Sequence, residues 1–280
     1  MEAAGVKRVF VPVFEESDYS PERLAERYVK YMDEDVRGFV AAYEDILGSA
    51  GPAFGRILRY LAGLSPPPSP SPSPPSLGSK EQEETVQRDE GEGKKTGKKE
   101  EPQAALIHCT AGKDRTGIFF GLLFDFLAVP RAQIAAEYNL TELGLASVRE
   151  DVVARLMQAP AFRNYMLSRM SKNTTTTTGT TTGTTTTDTE DIANSLRAGQ
   201  QQQEDASQSA AEAVEIPPAL LEKGRQAALR MVSARKESML GALAMVDEKF
   251  GGAEQYMRVQ CGLGDGELEA LRRNLVVRKE

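Results

Sequence analysis

One short stretch of the 280-residue chain carries residue types at a spacing suited to nucleophilic attack on a phosphate monoester. It reads His108-Cys109-Thr110-Ala111-Gly112-Lys113-Asp114-Arg115-Thr116-Gly117. The apolar run Ala104–Ile107 precedes it and the apolar run Ile118–Leu127 follows, so the pattern is strand, polar loop, buried helix. A helix starting near Arg115 turns unpaired N–H groups and a partial positive charge toward the loop, which favours both a bound phosphate and a cysteine thiolate. Cys109 is then ionised near neutral pH. Separated from Cys109 by five residues, the Arg115 guanidinium offers a planar fork that matches two phosphate oxygens. Thr110, Ala111, Gly112 and Lys113 complete the candidate phosphate cradle, with Lys113 adding a second positive charge and Gly112 permitting backbone geometry that a side chain would obstruct. The Thr116 hydroxyl is placed to donate to the Cys109 sulfur and stabilise it as it leaves. His108 reads as a supporting residue that hydrogen-bonds the loop, with a catalytic base as the other reading.

The elements that must position this loop are read from apolar periodicity. Val9, Phe10, Val11, Val13 and Phe14 predict a buried strand. Ser20-Pro21 starts a helix that ends near Met32, with Leu24, Tyr28 and Met32 on one face. Val36, Phe39, Val40, Tyr43, Ile46 and Leu47 predict a helix that stops at Gly48, and Phe54, Ile57, Leu58 and Leu61 another. Helical patterns follow after Pro130 (Ile134, Tyr138), from Val148 to Met157, and from Phe162 to Met166. Met239, Leu243, Val246 and Phe250 end at Gly251-Gly252, and Asp265 caps a final helix carrying Leu268, Leu271 and Leu275. Cys261, in a Gln-Cys-Gly-Leu-Gly context, reads as structural.

Two segments break this order. Residues 65–104 open with SPPPSPSPSPPS and continue as a mixed-charge run, and residues 172–215 are Thr-rich and then Gln/Ala/Ser/Glu-rich. Neither has apolar periodicity, so both are expected to be disordered insertions in a single domain whose ordered blocks are 1–64, 105–171 and 216–280. They carry −2 and −5, which is all of the formal charge of −7, so the acidic balance says nothing against an anionic substrate. The proline tract is at most a weak SH3 or WW ligand; the run Lys94, Lys95, Lys98, Lys99 is broken by Gly and Thr and reads as linker rather than nucleic-acid patch. One His and two distant Cys exclude a zinc spacing, a disulfide framework and a redox pair, and point to a cytoplasmic protein. The longest apolar stretch, Ile118–Val129 with Asp125 inside it, falls short of the roughly 20 residues needed to span a bilayer. Position 107 is Ile rather than Gly and Asp follows Lys113, so the loop is not a nucleotide P-loop.

HCTAGKDRTG resembles the signature of the cysteine-dependent protein tyrosine phosphatase superfamily, and its GKDRTG form is similar to the tyrosine/serine-type protein phosphatases of bacteria and fungi. VFVPVF with DYSPERLAERY, GFVAAYEDIL with GPAFGRIL, YNLTELGL and the terminal ALAMVDEKFGGAEQYMRVQCGLGDGELEALRRNL resemble that family in order and character. The resemblance implies an α/β fold with a central, mostly parallel sheet flanked by helices. It further implies a metal-independent, cofactor-free phosphatase, tyrosine-directed or dual-specificity, in which Cys109 forms a phosphocysteine and Arg115 holds the phosphoryl oxygens. The chain has no Trp and so no Trp-Pro-Asp acid loop; by the resemblance the general acid maps to Asp114, with Asp18 as fallback. Lys113 beside Arg115 keeps phosphoinositide hydrolysis as the runner-up. The family's Arg-Asp-Leu-Gly-Gly-like strand segment before VFVPVF has no counterpart here, so a sheet short of strands, and with it a catalytically impaired phosphate-binding or scaffold protein, is the rival reading.

Overall fold

A computed structural model of the chain describes residues 6–15, 18, 21–64, 104–159, 162 and 216–276. Helix α1 (Pro21–Met32) leads into α2 (Val36–Ala62), whose first turn is held by the Asp35 carboxylate accepting the Arg37 N–H at 2.8 Å. After the loop of interest come α3 (Asp114–Phe126), α4 (Arg131–Asn139), α5 (Thr141–Gly144) and α6 (Arg149–Gln158). The C-terminal block supplies α7 (Pro218–Met231), α8 (Lys236–Phe250), α9 (Ala253–Val259) and α10 (Asp265–Leu275).

The core is built around α2. Its buried stripe, Phe39, Ala42, Tyr43, Ile46, Leu47, Ala50, Phe54, Leu58 and Leu61, recurs at three- and four-residue steps and packs against α3, α8, α9 and α10. Helix α3 adds Ile118, Phe119, Leu122 and Leu123, with Phe119 edge-on to Phe54 at 5.1 Å between ring centroids. A smaller cluster of Met32, Val153, Phe162, Ala227, Ala228 and Val232 joins α1, α6 and α7. Arg131, at the start of α4, donates to both Asp125 oxygens and both Asp247 oxygens at 2.6–2.9 Å, which staples α3, α4 and α8 together. Among the described residues no helix is long and apolar enough to cross a membrane.

Several expectations change here. The central parallel sheet is overturned: every regular element among the described residues is a helix. Residues 6–12 and 104–109 carry no strand, and Phe10 and Leu106 are 76% and 91% exposed rather than buried. A β-branched apolar run becomes a strand only when a neighbouring segment supplies the other half of its hydrogen-bond ladder, and no described segment does so. A helix satisfies its own backbone, which is why the helical readings fared better. The stop at Gly48 is also overturned, since α2 runs through both Gly48 and Pro52. Both lie on the exposed side, where water can take the Gly48 carbonyl that Pro52 cannot serve, while the buried stripe continues beneath. Asp265 is the first residue of α10 rather than its cap; Gly264 occupies the cap, and its N–H donates to Glu267 at 2.8 Å. The insertions expected at 65–104 and 172–215, and most of the helix expected over 162–166, lie outside the described residues.

Candidate active site

The loop 108–113 ends at the N-terminus of α3, as a phosphate cradle requires. Gly112 adopts φ +70°, a left-handed conformation that favours glycine, and Lys113 follows as the residue before the helix. The Lys113 carbonyl accepts the Gly117 N–H at 2.8 Å, which closes the first turn. Gly117 is required for a second reason: a Cβ there would meet the Tyr138 ring at 2.8–2.9 Å, so α4 packs directly on the first turn of α3.

Cys109 and Arg115 come together across this turn. Burial pushes the Cys109 thiol up, but the Thr116 hydroxyl and N–H, the Arg115 charge and the Gly112 N–H pull it down, and the balance leaves it below its ordinary value. Thr116 Oγ1 is buried close enough to the Cys109 sulfur to act on it. Arg115 Nη2 donates to Thr110 Oγ1 at 2.9 Å, holding the guanidinium over the loop. His108 is exposed and its Nδ1 lies 2.8 Å from the Cys109 carbonyl; since a carbonyl only accepts, Nδ1 carries the proton and the ring braces the backbone at the cysteine. Thr110 and Ala111 are exposed at the loop's outer edge.

The Lys113 ammonium turns inward and holds one oxygen of the Asp114 carboxylate. Lys113 is only 4% exposed, and its ammonium donates to Asp114 Oδ1 (2.8 Å), the Met231 carbonyl (2.9 Å) and the Ser233 carbonyl (3.2 Å). The rings of Phe39 and Tyr31 lie 5.1 and 5.4 Å from it. Beneath, the Tyr43 and Tyr138 hydroxyls are hydrogen-bonded at 2.5 Å, and Tyr43 Oη reaches Asp114 Oδ1 at 3.4 Å. Burial, with the Asp114 charge nearby, holds Tyr31, Tyr43 and Tyr138 well above the ordinary phenol value, so all three stay neutral. Asp18 serves a different place: its carboxylate accepts the Glu15 N–H at 3.1 Å and faces Arg27 at 3.8 Å on the segment entering α1. Sequence reasoning placed Tyr43 and Tyr138 on apolar helix faces without giving them a part in the site. The available signal was a phenol hydroxyl at a core position, which must find a partner.

Cys109, its thiol held below its ordinary value, and Arg115 in the first turn of α3 meet where the loop enters the helix, an arrangement that can receive an oxyanion. Comparison with known proteins places that site in a lineage: residues 95–277 match the tyrosine phosphatase family, and the chain belongs to that family. A tyrosine-protein phosphatase of Nostoc commune is 58% identical over 38 residues, which span 14% of this chain and 13% of that protein.

Proposed function

We propose that this chain is a metal-independent phosphomonoester hydrolase acting on phosphotyrosine proteins, and also on phosphoserine and phosphothreonine, through a phosphocysteine. The observation that carries the reading is the Cys109 thiol held below its ordinary value beside Arg115 at the N-terminus of α3. The thiolate attacks phosphorus, a P–S bond forms as the P–O bond to the substrate breaks, and Arg115 stays with the phosphoryl oxygens. The departing oxygen takes a proton from Asp114, whose Oδ1 is held by Lys113. Water then attacks phosphorus, returns a proton to Asp114 and releases phosphate and the Cys109 thiolate. The exposed setting of Thr110 and Ala111 supports reach to the shorter phosphoserine and phosphothreonine.

The enclosure of Lys113 removes the argument for a highly charged inositol head group. The rival, a loop that captures phosphate without turnover, is favoured by one observation: the apolar extended segments at Phe10 and Leu106 are uncovered. A panel of phosphotyrosine, phosphoserine and phosphothreonine peptides, assayed for released phosphate in EDTA on wild type and Cys109→Ser, decides between them. Release that survives EDTA and vanishes with the substitution supports the hydrolase; peptide binding with no release of phosphate supports the rival.

A further inference from the structure

Building on the phosphatase reading, we infer that Lys113 is a positioning residue and not a phosphate ligand: it fixes Asp114 by one carboxylate oxygen and ties the loop to the turn between α7 and α8.

The first argument is a count of donors. An ammonium group has three N–H donors and no acceptor. Those of Lys113 meet three acceptors, Asp114 Oδ1, Met231 O and Ser233 O, at 2.8–3.2 Å, so none is left for an incoming oxyanion. The second argument is enclosure. At 4% exposure, with the Phe39 and Tyr31 rings beside it, the ammonium is walled off from the mouth where Thr110 and Ala111 are exposed.

The third argument concerns the helices that the pair joins. Met231 is the last residue of α7, and its carbonyl belongs to the final turn that has no acceptor-side partner within the helix; a cation there also meets the negative end of the helix dipole. Asp114 is the first residue of α3, where a carboxylate meets the positive end. The pair therefore bridges the end of one helix and the beginning of another in the favourable sense at both. Asp114, 27% exposed, keeps solvent access while Lys113 and the Tyr43 hydroxyl define where its Oδ1 sits.

The two roles separate by leaving group. p-Nitrophenyl phosphate expels a stable phenoxide and needs little help from an acid, whereas phenyl phosphate needs the proton. If Lys113 positions Asp114, Lys113→Met lowers kcat on phenyl phosphate by about 10²-fold and on p-nitrophenyl phosphate by much less. KM should change little on either. Asp114→Asn should show the same leaving-group dependence, and the double variant should be no worse than Asp114→Asn alone, because contacting residues that act as a unit are not additive. Lys113→Arg, which keeps the charge, should recover part of the phenyl phosphate rate. Tungstate affinity, read by calorimetry without turnover, should stay within about threefold of wild type for Lys113→Met, since RT ln of that ratio is less than one hydrogen bond.

A rise in KM of about tenfold on both substrates, with tungstate affinity falling in step, makes Lys113 a phosphate ligand and overturns the inference. If Lys113→Met does not fold, Lys113→Arg decides on the same two readouts: an unchanged tungstate affinity with a selective phenyl phosphate defect supports positioning, and a general KM defect opposes it. A wild type that hydrolyses neither substrate overturns the phosphatase reading instead, and the tungstate comparison still decides the placement of Lys113. A wild type that also fails to bind tungstate removes both.

Discussion

Cys109 lies half-buried in the loop before α3 and Cys261 buried in the turn between α9 and α10, and their thiols move in opposite directions. Burial pushes the Cys261 thiol up to about 12, and the charge of Arg59, whose guanidinium donates to the Cys261 carbonyl at 3.2 Å, does not offset it. Burial pushes Cys109 up as well, but there the hydroxyl and N–H of Thr116, the Arg115 charge and the Gly112 N–H outweigh it. Burial therefore raises a thiol even with a guanidinium on the same residue's carbonyl. At Cys109 the Thr116 groups, the Arg115 charge and the Gly112 N–H reverse that balance, so the two thiols shift in opposite senses within one fold.

The largest test of that contrast is to exchange each sulfur for oxygen. Cys109→Ser should reduce phosphatase kcat by about 10⁴-fold or more, while Cys261→Ser should leave it within about twofold. Comparable losses from both would mean that the two loops differ less than described. Next comes Arg115→Lys, which keeps a charge but loses the planar fork; kcat/KM should fall by about 10³-fold. A loss below about tenfold would reduce Arg115 to a point charge. Thr116→Ala removes a group that lowers the thiol, so the sulfur must ionise at higher pH. The rising limb of kcat/KM against pH should move to higher pH, leaving the variant slower than wild type below that limb and near wild type above it. A limb that stays put would show that the hydroxyl does not act on the sulfur.

The smallest effect lies away from both cysteines. Arg131 holds the Asp247 carboxylate below its usual range through hydrogen bonds, so that interaction stabilises the fold above the unfolded-state carboxylate pKa near 4 and is lost as pH falls through the depressed value. Because Asp247 and Arg131 are partly solvated, Arg131→Met should cost about 1–2 kcal/mol at neutral pH, most of it from unpairing the more enclosed Asp125. Urea melts should show that difference narrowing in acid; a constant gap would assign the loss to packing instead. Activity should follow stability and not the thiol.

How much of this was written locally in the chain differs from region to region. Helices α1, α3, α4, α6, α8 and α10 were legible because each repeats large apolar residues at helical spacing, and so were the two ends of α2, but not its continuity through Gly48 and Pro52. Helix α7 was not, because it buries Gly224, Ala227 and Ala228, small residues that leave little contrast between its faces. The runs at Val9–Phe14 and Ala104–Ile107 have strand composition, but their pairing depends on segments elsewhere, and composition cannot supply a partner. The proximity of Cys109 and Arg115 was legible because both lie in one short stretch that runs from the loop into the first turn of α3. Lys113, read as a phosphate ligand from its neighbours, turns inward to the Met231 and Ser233 carbonyls, 118 and 120 residues further along the chain. The Tyr43–Tyr138 contact joins residues 95 apart. Orientation decided by such distant partners leaves no mark in the local pattern.

The most direct test of the central claim is to quench the wild-type protein with acid during p-nitrophenyl phosphate turnover in EDTA and measure its intact mass, then locate any added group by peptide mapping. The account predicts a species heavier by one phosphoryl group, carried on the peptide containing Cys109 and missing from Cys109→Ser. Turnover with no such species, or a phosphoryl group on any other residue, would contradict it.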